Sequence, residues 1–428
     1  MNALILGSGA REHALAHKLS ESPLISKLFV APGNGGTERE FENLPISLSD
    51  FETLASNILE RNLELVVVGP EQPLVDGFVD FLQHHADPFF RTVHVIGPDQ
   101  ACAALEGSKD FSKQIMQEAG IPTAGARVFT VADWEELEHY IQQHALPVVI
   151  KADGLAAGKG VAVCTSHQEA IDFSASVLKD SVFGDQNSSV LVEEFLDGIE
   201  VSMFALCDGI HYQLLPEAKD YKRIFDGDKG PNTGGMGSVS PVPFVDNVFR
   251  QKVEDRVLKP LFQTLQKRGL HYKGFLFVGL MKVGDEPFVI EFNARLGDPE
   301  TQTILNRIEG DLVPAFLSVR DQTLDQHPIQ VKNMAVATIV LCAEHYPDTP
   351  AKGDAMEISE SAANGKIYLA GAVQKDGILV TSGGRVASCT GMGARPEEAL
   401  SQAYALVEAV RFRGMQYRRD VGKDVWGN

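Results

Sequence analysis

Between Val148 and Val163 the chain reads VVIKADGLAAGKGVAV. An apolar strand ends at Lys151, a loop carries Gly154, Gly158, Lys159 and Gly160, and a second apolar strand begins at Val161. Glycines let backbone N–H groups come close to a polyphosphate, and lysines add point charges beside it. A Walker-type loop has four residues between its glycines, a Ser or Thr after the lysine, and then a helix. Here three residues separate Gly154 from Gly158, Gly160 follows Lys159, and a strand comes next. The run therefore reads as a strand–loop–strand laid over phosphates. Its plain alternative is a flexible hairpin with solvated lysines.

A second group lies in Val289–Glu300, VIEFNARLGDPE. Glu291 and Asn293 are two apart on a strand and so face the same way. A carboxylate and an amide carbonyl are hard oxygen donors suited to Mg²⁺ beside phosphates. Arg295 points to that face and can grip a carboxylate or phosphate with two donors. Taken alone, such a pair is more often the wet face of an edge strand; together with the Lys151 loop, the metal reading is preferred. The run Pro231–Gly237, PNTGGMG, places three glycines in four residues, enough for a nest of N–H groups around an anion, with Lys222 and Arg223 just upstream. Glu193, Glu194, Phe195 and Leu196 leave a strand and can offer backbone groups to an adenine edge, with Glu200 placed for ribose hydroxyls; buried-strand packing explains the run as well. Gly7-Ser8-Gly9-Ala10-Arg11-Glu12-His13 looks like a dinucleotide fingerprint, but Glu12 stands at its third glycine and the next strand ends in Ala31-Pro32 instead of an acid. Dinucleotide chemistry is disfavoured. The helix N-terminus after Gly9 remains a phosphate site, unless Glu12 merely stabilises that helix end.

Short apolar runs near residues 3–6, 28–30, 65–68 and 93–96 read as buried strands, with helical patterns near 11–20, 51–60 and 74–84 between them. Such alternation predicts a doubly wound parallel sheet, with ligand loops at the carboxyl ends of its strands. A smaller α/β unit holds the Lys151 loop, a strand-rich segment runs to about residue 320, and a last unit carries strands near 335–341, 366–380 and 385–390 and a helix near 395–410. With 428 residues, two to four domains are expected. Hydrophobic content of 44% and charged content of 22% fit a soluble globular protein, and a net charge of -20 argues against nucleic acid or an anionic membrane as main partner. The five cysteines are scattered without CxxC spacing, which predicts reduced, mostly buried thiols and a cytoplasmic setting. The N-terminus lacks the pattern of an export leader, and no apolar run is long enough to span a membrane.

Taken in order, these residues resemble the phosphoribosylamine–glycine ligase (glycinamide ribonucleotide synthetase) family, ATP-grasp enzymes of purine biosynthesis. Besides the runs above, the resemblance includes Ala31-Pro32-Gly33-Asn34, Gly69-Pro70-Glu71-Gln72-Pro73-Leu74-Val75 and Leu105-Glu106-Gly107-Ser108-Lys109. It covers essentially the whole chain. It implies an α/β protein with an N-terminal doubly wound domain (1–104), a central ATP-grasp domain (105–326, lid at about 124–190) and a small C-terminal domain (327–428). It implies that ATP, with Mg²⁺ or Mn²⁺, drives joining of glycine to 5-phosphoribosylamine through glycyl phosphate, with no nucleophilic side chain, in a monomer or weak homodimer. Lys109 and Lys151 would hold ATP phosphates under the Gly154–Gly160 loop, Glu193 to Leu196 would meet adenine, and Glu291 and Asn293 would hold the metal. Lys151 and Arg295 would serve catalysis. The implied substrate contacts are Gly9, Arg11, Glu12, Asn34, Glu71 and Pro73 from the first domain. Those from the cleft are Lys222, Arg223, Gly234, Gly235, Met236, Gly237, Arg295 and Asp298. The chain departs from the family pattern at Tyr221 (often His), Ala294 (Cys or Ser), Leu296 (Phe) and His345–Asp348 (a Gly-Tyr-Pro-Gly turn). Many ATP-grasp enzymes carry a second metal carboxylate on the strand before the metal pair; here that strand, 274–282, has no acid. Another ATP-grasp ligase, such as a carboxylase, is the nearest rival.

Overall fold

The computed structural model describes residues 1–156, 159–182 and 189–427. The N-terminal strands Asn2–Gly7, Lys27–Pro32, Leu63–Val68 and His94–Ile96, with the short edge strand Glu42–Asn43, form a five-stranded parallel sheet. The predicted helix at 74–84 is two helices, Glu71–Val75 and Phe78–His84, because the chain turns at Gly77 with φ 85°, a left-handed value open to glycine at little cost.

The helix Lys109–Ala119, capped by the Ser108 hydroxyl on the Phe111 N–H, leads into the smaller unit that the family resemblance assigns as the lid. Its four antiparallel strands, Ala126–Thr130, Val148–Ala152, Val161–Cys164 and Ser189–Glu194, pack on two helices around their own small core. A second antiparallel sheet follows, built mainly on Ile199–Asp208, Lys273–Val283 and Glu286–Asn293. One of its faces shares a core with the parallel sheet: Phe204, Phe275, Phe277 and Phe316 pack in one cluster with Ile5, Val30 and Val67. These two domains thus meet through apolar packing, which fixes the loops of one against the strands of the other.

The C-terminal unit is less separate than its place in the sequence suggests. Its antiparallel sheet runs Lys219–Asp220, Gly237–Ser240, Ala335–Cys342, Arg385–Gly393 and Gly365–Leu369, so two of its five strands come from the central region. The helix Pro396–Glu408 covers it. All five cysteines are buried and unpaired. Among the described residues, no helix is long and apolar enough to cross a membrane.

Candidate active site

A cavity of about 380 Å³ lies where the parallel sheet, the lid, the central sheet and the C-terminal sheet converge. Its floor is the strand Glu286–Asn293. Glu291 and Asn293 share one face, close enough for the Asn293 amide to donate to the Glu291 carboxylate at 3.4 Å. The neighbouring strand places Gly279 opposite Glu291 and Phe277 opposite Asn293, so no acid comes from there. A Cβ at position 279 would meet the Glu291 stem at 3.1 Å, so glycine leaves room for that carboxylate. Burial opposes ionisation of Glu291, but the charges of Lys222, Lys151 and Lys109 outweigh it and lower its pKa. An ionised carboxylate beside an amide fits a hard divalent cation.

The lysines form the wall. The Lys151 ammonium donates to the Ile290 carbonyl at 3.0 Å and pairs with Glu193 at 2.8 Å. Lys113, absent from the sequence-derived set, pairs with the other oxygen of Glu193 at 3.0 Å. Lys109 opens its helix, and its ammonium donates to the Gly154 carbonyl at 2.7 Å. Asp153 accepts from the Lys109 N–H at 2.6 Å and the Gly154 N–H at 3.0 Å, so one carboxylate pins the first residue of the helix and the start of the loop. Gly154 and Gly160 line the cavity, while Gly158 lies outside the described residues. Lys159 turns away from the cavity: its ammonium donates to the Pro347 carbonyl at 3.3 Å, across to the C-terminal unit.

The adenine set is redistributed. Glu193 does not face outward; its side chain is buried between two ammonium groups. Glu194 is turned to the Gly125 N–H at 3.2 Å, Phe195 is exposed, and neither these two nor Leu196 lines the cavity. Glu200, read as a ribose acceptor, is ion-paired with Lys222. Lys222 lines the cavity, and the charges of Asp220, Glu200 and Glu291 overcome burial to hold it protonated.

Several implied substrate contacts are engaged within the protein or lie off the cavity. The Glu12 carboxylate accepts from the Gly9 N–H at 2.6 Å and from Arg11 at 2.6 Å, folding back on the start of its own helix. The phosphate site expected after Gly9 is thus partly filled by Glu12. Asn34 is a buried hub, donating to the Leu369 carbonyl at 2.7 Å and accepting from the Gly36 N–H at 2.7 Å. Pro73 is buried away from the cavity. Arg223 donates to the Gly230 carbonyl within a hairpin. The expected nest is closed: Gly234 N–H donates to the Tyr346 hydroxyl, Gly235 N–H to Thr233 and Met236 N–H to the Tyr221 carbonyl. Met236 and Gly237 are buried in the C-terminal sheet region, and only Gly234 of this run's glycines lines the cavity.

Arg11, Glu71, Arg295 and Asp298 do converge on the cavity. Arg295 is held from both sides, by Glu71 at 3.1 Å and Glu106 at 2.7 Å. Glu106 also accepts from the Ala294 N–H at 2.7 Å. Burial pushes the Glu106 carboxyl up to about 7 against the pull of Arg295. Glu71 behaves oppositely: burial opposes its charge, yet Arg295 and Arg11 hold it down at about 2. Its contribution to stability is complete above its ordinary value of 4.5 and fades as pH falls from there towards 2. Glu71→Gln should therefore be less stable than the parent at neutral pH, with the gap closing below pH 4. Denaturant titrations across that range check this, and a gap independent of pH would count against the pairing.

Sequence reading missed Glu106, Lys113, Asp220, Glu300 and Arg385, all of which line the cavity. The expected metal pair held one carboxylate, Glu291; Asp220 and Glu300 place two more on the cavity, the first from a strand far from it in sequence and the second from the helix start nine residues on. Alternation was a usable signal for Asp220 and Lys222, which flank Tyr221 in an extended run. Arg385 comes from the C-terminal sheet and donates to the carbonyls of Gly234 (2.7 Å) and Asp298 (2.6 Å). The departures at Ala294 and Leu296 fall in packed apolar positions. His345 takes the left-handed φ of 68° that suits glycine, in the turn that receives Lys159.

Two antiparallel units face each other here, one bringing lysines and a glycine loop, the other a carboxylate–amide pair. That construction, behind a doubly wound domain, is an ATP-grasp ligase. Three family models match in sequence, those of the phosphoribosylglycinamide synthetase N domain (1–106), ATP-grasp (A) domain (107–301) and C domain (336–424). This chain belongs to the phosphoribosylglycinamide synthetase family. It is 44% identical to the phosphoribosylamine–glycine ligase of Pasteurella multocida over 99% of this chain and 97% of that one. It is 41% identical to that of Leptospira interrogans over 99% and 98%. The crystal structure of the Thermotoga maritima phosphoribosylamine–glycine ligase superposes with a TM-score of 0.85 at 36% identity, covering 99% of this chain and 100% of that one. The biotin carboxylase domain of Hydrogenobacter thermophilus 2-oxoglutarate carboxylase shares the fold, with a TM-score of 0.71 at 15% identity.

Proposed function

We infer that this protein joins glycine to 5-phosphoribosylamine, converting ATP to ADP and phosphate and giving glycinamide ribonucleotide. The observation that carries this is the convergence, in one cavity of a chain of this family, of Lys109, Lys151 and Glu291 with Arg11, Arg295 and Asp298. A glycine carboxylate is a poor electrophile. One of its oxygens attacks the γ-phosphorus, ADP leaves, and an acyl phosphate results. The amine nitrogen then attacks the acyl carbon, loses a proton, and phosphate leaves carrying that carboxylate oxygen.

Lys109 and Lys151 neutralise charge on the phosphoryl group, and their anchoring to Gly154 and Ile290 carbonyls aims them without reorganisation. Glu291 and Asn293 would hold Mg²⁺ or Mn²⁺, which supplies positive charge beside the phosphate oxygens. Arg11 and Arg295 suit the phosphoribosyl phosphate or a carboxylate. Asp220, whose Oδ1 is buried without a hydrogen-bond partner among the described residues, and Glu300 suit the ammonium group of glycine. Catalysis is then positioning and electrostatics, and the Gly154–Gly160 loop keeps water from the intermediate. A monomer or weak dimer in the cytoplasm goes with this reading.

Phosphate release from ATP, with phosphoribosylamine supplied and the amino acid varied, tests the reaction; glycine should be strongly preferred. With ¹⁸O in the glycine carboxylate, one labelled oxygen per turnover should appear in phosphate. Retention of all label in the product amide and residual glycine would exclude an acyl phosphate.

A further inference from the structure

The extended segment from Lys219 to Arg223 has two sides. Asp220 and Lys222 face the cavity. Tyr221, between them, points the other way and is 2% exposed. What receives it is the end of the chain. The Tyr221 hydroxyl donates to Asp424 at 2.5 Å and accepts from the Gly422 N–H at 2.9 Å. Its ring lies between two cations, the Lys219 ammonium 4.0 Å and the Arg418 guanidinium 5.0 Å from its centroid. Lys219 itself pairs with Asp424 at 2.9 Å.

Arg418 extends this contact. It is among the largest fully buried side chains, pairs with Asp420 at 2.7 Å and Asp228 at 2.6 Å, and donates to the Arg223 carbonyl at 3.2 Å. Asp420 in turn accepts from the Gly227 N–H at 2.7 Å, and Asp226 accepts from the Arg419 N–H at 2.8 Å. The final residues therefore hold the segment behind Asp220 and Lys222 at its side chain, its backbone and the hairpin after it. Its centre, Tyr221 and Arg418, is buried and partnered, while the Asp424 and Asp228 carboxylates that hold it reach the surface; such a network restrains the buried groups it holds. On the cavity side Asp220 has only the Lys222 ammonium, 3.9 Å from its Oδ2, and its Oδ1 has no hydrogen-bond partner among the described residues.

We propose that Arg418–Asp424 is a positioning element of the active site, acting through Tyr221 to hold Asp220 and Lys222 in register with the amino-acid substrate. This rests on the assignment of Asp220 to the glycine ammonium. Tyr221→Phe keeps the ring between its two cations and removes only the hydroxyl. It should raise KM for glycine about tenfold, the size expected when a hydrogen bond to a charged group is lost, with KM for ATP unchanged. Asp424→Ala should reproduce that shift, Asp424→Asn, which keeps an acceptor, should largely restore the parent value, and Tyr221→Phe with Asp424→Ala should be no worse than either alone. Asp220→Asn in the same assay is the reference. If it raises KM for glycine while Tyr221→Phe changes only thermal stability, the positioning role is overturned and the glycine assignment stands. If Asp220→Asn leaves KM for glycine unchanged, the assignment and the positioning role fall together.

Discussion

Glu291→Ala is expected to lower kcat by about 100-fold or more while the fold survives. At about 1.4 kcal/mol for each tenfold, that is roughly 3 kcal/mol of transition-state stabilisation, the scale of one charged contact to a transferred phosphoryl group. The carboxylate faces Lys109, Lys151 and Lys222, which keep it ionised, and Gly279 gives it room. No acid on the adjacent strand can take over its place. Asn293 stays in place, so some residual metal affinity should persist and the Mg²⁺ requirement should shift to higher concentration. Asn293→Asp keeps an oxygen in position and should be milder. Steady-state rates across a Mg²⁺ titration decide the matter: parent-like turnover and Mg²⁺ dependence in Glu291→Ala would leave the metal assignment without support.

Glu193→Ala is expected to cost the fold about 3–5 kcal/mol, the range for removing one partner of a buried ion pair. Two buried ammonium groups would lose the carboxylate they share. Lys113 keeps bonds to the Thr123 hydroxyl at 2.8 Å and the Ala124 carbonyl at 3.1 Å, and Lys151 keeps the Ile290 carbonyl, which points to the lower end of that range. Burial works against the Glu193 charge, but Lys151 and Lys113 lower its pKa. The contribution is thus full above the ordinary glutamate value and declines as pH falls below it. Denaturant midpoints for the parent and Glu193→Ala at neutral and acid pH check this. Equal midpoints at neutral pH would mean that the triad does not hold the lid strands to the helix Lys109–Ala119.

What the sequence revealed follows a physical divide. The strand–loop–strand around Lys151 and the Glu291–Asn293 pair were legible because their chemistry is local: a period of two sets the shared face, and glycine spacing separates this loop from a helix-bound one. The parallel sheet was legible for the same reason, since its strands are continuous apolar runs. Long-range partners were not. Glu193 has the position of an adenine contact by order along the chain, yet Lys113 on a distant helix turns it into a counter-ion. The glycine run looked open to an anion because sequence does not show that Tyr346, Thr233 and Tyr221 take its N–H groups. Arg385 is unremarkable until the C-terminal sheet carries it to Gly234 and Asp298.

The shared C-terminal sheet also bears on how such a protein can be taken apart or recombined. Its central strand Ala335–Cys342 is paired on one side by Gly237–Ser240, which precedes it by about a hundred residues. A cut before the C-terminal unit would therefore expose a long apolar edge on one fragment and strip the cavity-lining segment of its neighbour on the other. A graft that carried 327–428 alone from one relative to another would join two halves of a sheet with different histories. A graft that keeps the sheet whole must carry residues 219–240 as well, because they hold two of its five strands.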